Sequence, residues 1–265
     1  HEDHAVVEAN GGEIWHALVL WSLAQGLCGL ENLSLIPGLV GAAPIQNIGA
    51  YGVELSDLLE TVHAWDWQRD APAVFDHHDC RFGYRDSRFK SGEPGRYLVT
   101  SIRLRLSRKF KPNLSYSGVR EHLDGMAIET PTATQLSRAI IDIRKRKLPD
   151  PARLGNAGSF FKNPVLAPDM AESLRGRFEG LPVHLAGTEA AKLSAAWMIE
   201  HCGWKGYREG QAGVSERHAL VLVNRGDASG RDILALADKI AASVAETFGV
   251  NLEPEPRIVR PAGRD

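Results

Sequence analysis

Residues 36–55, IPGLVGAAPIQNIGAYGVEL, limit this chain more than any other stretch. They carry four glycines and three alanines, and Glu54 is the only charged residue among them. Small residues let the backbone approach a ligand closely and take positive φ values that larger side chains resist. A solvated linker sets its glycines among Ser, Lys or Glu; here they alternate with Val, Ile and Tyr, so burial against something is expected. Gln46 and Asn47 add amide donors and acceptors, and backbone N–H groups add more. Proteins hold polar, planar or phosphorylated groups in this way without using cations. On these residues alone two readings fit equally: a cofactor-holding loop, and a turn-rich connector packed into the core.

A chain of 265 residues suggests two domains, each with a core. The formal net charge of −2 gives no electrostatic case for nucleic acid or a membrane surface. No apolar run reaches the ~18 residues of a membrane span, and the start HEDHAVVEANGG lacks signal-peptide features. The three cysteines, Cys28, Cys80 and Cys202, are odd in number, far apart and without CxxC spacing, which favours a reducing cytosol over a disulfide framework or zinc ribbon.

Along the chain, residues 5–8 read as a strand and Asn10-Gly11-Gly12 as the turn after it. Ile14, Leu18, Trp21 and Gln25 follow helical spacing, with Ala17 and Ala24 on the same stripe. The spacing predicts a helix that faces the core with this stripe and stops near Gly26 or Gly29. Residues 61–67 alternate as a strand, and residues 69–72 turn. Asp76-His77-His78-Asp79-Cys80 offers possible ligands at every position. Adjacent strand residues face opposite ways and no second cluster lies at zinc spacing, so a solvated strand edge and no metal are expected.

Residues 84–90, YRDSRFK, read as a charged loop or as an anion site with one arginine aimed at a carboxylate or phosphate. Residues 98–106 form a strand with Ile102, Leu104 and Leu106 on one face and Arg103 and Arg105 on the other. Residues 109–118 are a loop carrying Tyr116. Thr132 and Gln135 have capping-box spacing ahead of a helix with Leu136, Ile140 and Ile143 on one face. Its closing run Arg144-Lys145-Arg146-Lys147 suits the helix dipole; Pro149 and Pro151 end it and mark a domain boundary. Residues 155–164, GNAGSFFKNP, are a second small-residue loop, in which Ser159 reads locally as a turn residue. A short helix over 193–200 and a buried strand over 218–224 follow. Ser229 and Asp232 then cap a long helix with Ile233, Leu236, Ile240, Val244 and Phe248 inward, stopped by Gly249. Residues 250–252 look like one more strand, completing an α/β domain.

Four motifs in a fixed order carry a resemblance: residues 36–55, CRFGYRDSRFK at 80–90, KLPDPARLGNAGSFFKNP at 147–164 and LEPEPR at 252–257. One short motif would be weak evidence; four across nearly the whole chain resemble the UDP-N-acetylenolpyruvoylglucosamine reductase (MurB) family of peptidoglycan synthesis. The resemblance implies an α+β chain. Residues 1–148 would form an FAD-binding fold of the vanillyl-alcohol oxidase type with its N-terminal part absent, since the family's glycine-rich turn for the flavin pyrophosphate lies upstream of anything seen here. Residues 149–249 would form an α/β substrate-binding domain, and 250–265 a C-terminal segment carrying the catalytic glutamate.

The resemblance also implies FAD, held without a covalent link by Pro37, Gly38, Gly41, Ala42, Pro44, Ile45, Gln46, Asn47, Gly49, Ala50, Tyr51 and Gly52, with NADPH as co-substrate. Arg85 matches the family's catalytic arginine, Ser159 its proton donor and Glu255 its catalytic glutamate. Pro256 stands where members carry Val or Ile, which keeps Glu253 as the alternative. Tyr84, Tyr116, Lys147, Asn163 and His218 fall at positions that bind the UDP-sugar, and Tyr116 resembles the subgroup with a tyrosine loop. His218, where related sequences place a glutamine, reads equally as a strand-start residue. A cytoplasmic, monomeric, NADPH-dependent UDP-N-acetylmuramate dehydrogenase is therefore expected, with no metal and no nucleic-acid or membrane partner. Its rivals are an FAD oxidoreductase of the same superfamily with another substrate, and a non-catalytic sugar-nucleotide-binding protein; neither needs Arg85, Ser159 and Glu255 together.

Overall fold

A computed structural model describes residues 3–116, 118–185 and 189–259. The chain divides into two compact units, His1–Arg144 and Lys145–Asp265.

In the first unit β1 (His4–Asn10) leads into α1 (Trp15–Ala24), and a short hairpin pairs β2 (Gly49–Ala50) with β3 (Val53–Glu54). The strands β4 (Leu59–Asp66), β5 (Ala71–Asp76) and β6 (Tyr97–Ser107) complete an antiparallel sheet of order β1-β6-β4-β5. Period-two patterning holds on β6, where Ile102, Leu104 and Leu106 are fully buried and Arg103 lies opposite Glu8, with which it pairs at 2.9 Å. The helices α2 (Val119–Gly125) and α3 (Ala133–Lys147) form a separate core with Val119, Leu123, Leu136, Ile140 and Ile143. The expected capping box opens α3: Gln135 N donates to Thr132 Oγ1 at 3.2 Å and Thr132 N to Gln135 Oε1 at 2.8 Å.

Two readings are corrected here. α1 buries Trp15, Leu18, Val19 and Ser22, while Ile14 and Trp21 are 60% and 48% exposed. The helix is apolar nearly all round, so spacing could not choose its inner face. Trp15 decides it, being fully enclosed with its indole N–H donating to Leu33 O at 3.0 Å. Second, the strand edge expected over 76–80 ends at Asp76. A turn follows, in which Asp79 N donates to Asp76 Oδ1 at 2.7 Å, and the exposed Asp76, His78 and Asp79 bring ligand atoms within 4.8 Å of one another. Cys80, just beyond, is buried; burial first, then Asp76 and Asp79, push its thiol up to about 12, so it is no nucleophile.

The second unit runs β7 (Gly155–Ser159), β8 (Val165–Leu166), α4 (Pro168–Arg177), β9 (Val183–Leu185), β10 (Ala191–Leu193), α5 (Ala195–His201), β11 (Arg208–Glu209), β12 (Ala212–Val214), β13 (Val221–Asn224) and α6 (Gly230–Phe248). Its two sheets have the orders β8-β10-β9 and β11-β12-β13-β7. Every described strand pair in them is antiparallel, so the alternation of strand and helix builds no parallel crossover. On α6, Leu236, Ile240, Val244 and Phe248 are buried. Ser229 and Asp232 close a full capping box, and Gly249 takes the left-handed conformation at φ 70° that ends the helix. Leu193 belongs to β10 rather than to α5, residues 218–220 precede β13 rather than starting it, and residues 250–252 form no strand. Part of the expected loop over 155–164 is β7, which pairs with β13 across a bulge.

Candidate functional site

The glycine-rich stretch is fixed to the sheet by glycine-on-glycine packing. Gly41 N donates to Gly11 O at 2.9 Å, and a Cβ on Gly41 would lie 3.1 Å from Gly11 Cα and from Val99 O. Only a pair of glycines permits that approach. Val40, Ala43, Pro44, Asn47 and Ile48 are buried, whereas Pro37, Gly38 and Ala42 are exposed and Gly41, Ile45, Gln46, Gly49 and Ala50 half-buried. One side of the loop is thus anchored and the other is a low, uncharged shelf. Among the described residues the Gln46 carboxamide has no hydrogen-bond partner, whereas that of Asn47 is committed inside the protein. Asn47 Nδ2 donates to Glu54 Oε2 at 2.8 Å and to Gly83 O at 3.1 Å, and Asn47 Oδ1 accepts from Ser56 N at 2.9 Å.

The YRDSRFK loop folds onto this shelf. Arg85 sits at a left-handed φ of 55°, and its Nη2 donates to Gly49 O at 2.5 Å. Its guanidinium also lies over the Tyr84 ring, 5.2 Å from the centroid. The turn closes by reciprocal bonds between Gly83 and Asp86, and Lys90 Nζ donates to Arg85 O at 3.1 Å. Behind it a π-helical turn over Arg88–Gly92 is held by Arg88 on Glu93 Oε2 at 2.5 Å, and Glu93 is shared with Arg96. Arg96 clamps the enclosed Asp66 through Nη2 at 2.6 Å, which holds that carboxyl down to about 2.

Arg144 belongs to the same neighbourhood. Burial pulls its pKa down, the Tyr51 phenol opposes that fall, and Arg85 adds to it; its Nε is buried with no hydrogen-bond partner among the described residues. Tyr51, at φ 50°, meets Tyr116 edge-on with 5.0 Å between centroids, and burial pushes both phenols up. Tyr116 is 44% exposed, so its ring joins a cation–phenol cluster at the surface instead of standing alone in solvent. The helix-dipole reading of residues 144–147 therefore leaves out Arg144, which faces inward.

In the second unit the C-terminal segment lies beside SFFKNP. Phe161 bridges Pro254, Lys162 N donates to Glu253 O at 2.9 Å, and Glu255 N donates to Phe160 O at 2.8 Å. Glu255 is thereby held opposite Phe160, next in sequence to the half-buried Ser159. Glu253 instead pairs with Lys162 Nζ at 2.9 Å with its side chain 71% exposed. Asn163 Oδ1 accepts from Ala195 N at 3.0 Å, at the start of α5, so only its Nδ2 is left for a ligand. His218 Nδ1 accepts from Leu220 N at 3.3 Å, which places the proton of the neutral ring on Nε2. Burial, then Lys147 and Lys205, pull His218 down to about 4, with Glu200 opposing.

That depression has a sign. Unfolded, the imidazole protonates near 6.5; folded, it does so only near 4, so the native state loses stability as pH falls through that window. His218→Gln is expected to flatten the decline of the urea midpoint between pH 6.5 and 4. An unchanged slope would assign the acid sensitivity to other groups.

Residues 150–259 match the model of the UDP-N-acetylenolpyruvoylglucosamine reductase C-terminal domain, and residues 1–68 that of an FAD-binding domain. A UDP-N-acetylenolpyruvoylglucosamine reductase of Xylella fastidiosa (strain M12) is 53% identical over 258 residues, which is 97% of this chain and 73% of the relative. One of Xanthomonas euvesicatoria pv. vesicatoria (strain 85-10) is 54% identical over 259 residues, with the same shares of 97% and 73%. The chain belongs to the UDP-N-acetylenolpyruvoylglucosamine reductase family. The crystal structure of the Thermus caldophilus MurB agrees, at a TM-score of 0.64 and 27% identity over 94% of this chain and 71% of that one.

Membership in the MurB family makes the chain an oxidoreductase and flavoprotein of peptidoglycan precursor synthesis, with an α+β fold that includes part of an FAD-binding domain. The shelf over residues 37–52 fits such a cofactor: it is uncharged, accessible on one side, and offers the Gln46 amide and backbone groups. Sequence reasoning missed Ser87 and Arg144 as parts of this site. Arg144 was hidden in a run of surface-type charges, and Ser87 shows no local signal beyond its place in YRDS.

Proposed function

We propose that the chain reduces UDP-N-acetylglucosamine enolpyruvate to UDP-N-acetylmuramate, with NADPH as hydride source and FAD held without a covalent link. The carrying observation is the bond from the Arg85 guanidinium to the Gly49 carbonyl. It puts the residue suited to a carboxylate on the loop suited to a flavin. FAD, when bound, would supply the redox chemistry for hydride addition to the enolpyruvyl methylene at the expense of NADPH.

That addition leaves negative charge delocalised from the α carbon onto the substrate carboxylate. The forked, permanently charged guanidinium of Arg85 stabilises it. Ser159 gives its hydroxyl proton to the α carbon, the net change being one hydride and one proton. Glu255, held across from Phe160, assists the same intermediate, with Glu253, which pairs with Lys162, as the alternative. Tyr116, Tyr84, Lys147, the Nδ2 of Asn163 and the neutral His218 bind the UDP moiety, with Tyr116 on the loop that defines the tyrosine-loop subgroup. We place the enzyme in the cytoplasm as a monomer.

Residues 36–55 contain no His or Cys for flavin attachment. Acid precipitation of the purified protein is therefore expected to release the yellow colour into the supernatant, and NADPH oxidation to require the enolpyruvyl UDP-sugar. Colour retained on the pellet would overturn the non-covalent assignment. NADPH consumption indifferent to the UDP-sugar would overturn the substrate.

A further inference from the structure

Residues 45, 47 and 49 of the glycine-rich loop each make one tie to the turn over 83–87. Ile45 O accepts from Ser87 Oγ at 2.6 Å, Asn47 Nδ2 donates to Gly83 O at 3.1 Å, and Gly49 O accepts from Arg85 Nη2 at 2.5 Å. Alternate residues of the loop are thus stitched to the turn through side chains on both partners, as a strand would be stitched through its backbone. Ser87 is 3% exposed and holds two bonds at once, since its Oγ also accepts from Phe89 N at 3.1 Å. Its own N–H donates to Asp86 Oδ1 at 2.8 Å, and the same oxygen accepts from Ser91 Oγ at 2.6 Å. Between Gly83 and Ser87 sits Arg85 at φ 55°. A non-glycine residue persists there only when its surroundings over-determine it. The Gly83–Asp86 closure, the Lys90 bond to Arg85 O and the Ser87 bond to the glycine-rich loop supply that determination.

We propose that Ser87 is a positioning residue for Arg85: by anchoring the turn to Ile45 it fixes where the guanidinium stands relative to the flavin-binding loop. The inference rests on the reading of Arg85 as the residue that stabilises the substrate carboxylate. Ser87 touches no reacting atom. With its anchor gone, the turn keeps its internal bonds but is free to shift against the loop, and displacement of a catalytic group by about 1 Å costs ~10²-fold in rate.

The test is a double-mutant cycle on the FAD-loaded enzyme, with kcat, KM for both substrates, flavin affinity and melting temperature measured for Ser87→Ala, Arg85→Lys and the pair. Ser87→Ala is expected to lower kcat by ~10- to 100-fold with KM for NADPH unchanged, and to add almost nothing in the Arg85→Lys background. Ser87→Thr, which keeps the hydroxyl, is expected to recover most of kcat. Equal fold losses in both backgrounds, or a loss that follows flavin affinity or melting temperature, would show Ser87 to be merely structural. If Ser87→Ala does not fold, Lys90→Met severs a second tie, and its loss of kcat must likewise vanish in Arg85→Lys. Wild-type activity in Arg85→Lys would overturn the role of Arg85 itself, a result distinct from additivity in the cycle.

Discussion

Ser159→Ala is expected to separate the two halves of turnover. Bleaching of bound flavin by NADPH needs no proton on the substrate carbon, so it should run at the wild-type rate. Recovery of the flavin absorbance on adding the enolpyruvyl UDP-sugar should slow by ~10²–10⁴-fold, the range for a positioned acid, on the proposed role of Ser159 as proton donor. Ser159 lies at the end of β7, paired with Val221 just past a bulge in the ladder and after Gly158 at φ 73°, so it is Gly158 and not the Ser159 hydroxyl that the bend requires. A hydroxyl that only shaped the backbone would be worth about 1 kcal/mol of stability and would leave both half-reactions alone. Ser159→Cys, still a proton donor, should restore part of the rate. Equal single-turnover recovery in wild type, Ser159→Ala and Ser159→Cys would reduce Ser159 to a structural residue.

Gly49→Ala should also be damaging, through a methyl group alone. A Cβ there would lie 2.8 Å from Arg85 Nη1, 2.9 Å from Glu54 Cγ and 3.2 Å from Val53 O. The guanidinium is the movable end of a long side chain, so it yields while the hairpin holds. The variant is expected to fold, to melt within a few degrees of the wild type, and to lose ~10²-fold in kcat as Arg85 is displaced. Arg85→Lys, which keeps the charge but not the fork, should show a loss of the same kind. A Gly49→Ala enzyme within threefold of wild-type kcat would show that Arg85 need not stand on Gly49 to act.

The elements most legible in the sequence were those with a strong local cause. β6 alternates because one face meets the core, and the capping boxes of α3 and α6 sit where Thr132, Gln135, Ser229 and Asp232 place them. Illegible features were set by partners distant in the chain. The inner face of α1 depends on Leu33 accepting from Trp15, because the helix is apolar on both sides. Arg144 looks like its basic neighbours until Tyr51, far upstream, draws it in. Asn47 reads as a ligand for a cofactor, yet Glu54, Gly83 and Ser56 take up its amide. The motifs named Arg85, Ser159 and Glu255 as candidates through resemblance. What they did not contain was the stitching between residues 45–49 and 83–87, which depends on loop conformations that no periodicity encodes.

The bridge between Phe161 and Pro254 has a consequence for how the second unit comes together. Glu255 is brought beside Phe160 by a strand-like contact between segments distant in the chain, with α4, α5 and α6 between them. Closing so long a loop costs entropy that only a formed core repays, so contacts of this kind are slow to form. During synthesis Ser159 emerges ahead of α4, α5 and α6, and Glu255 only after all three. On the proposed roles of Ser159 and Glu255, proton handling waits for that contact, and a cut just before Leu252 is expected to abolish turnover while α4, α5 and α6 keep their places.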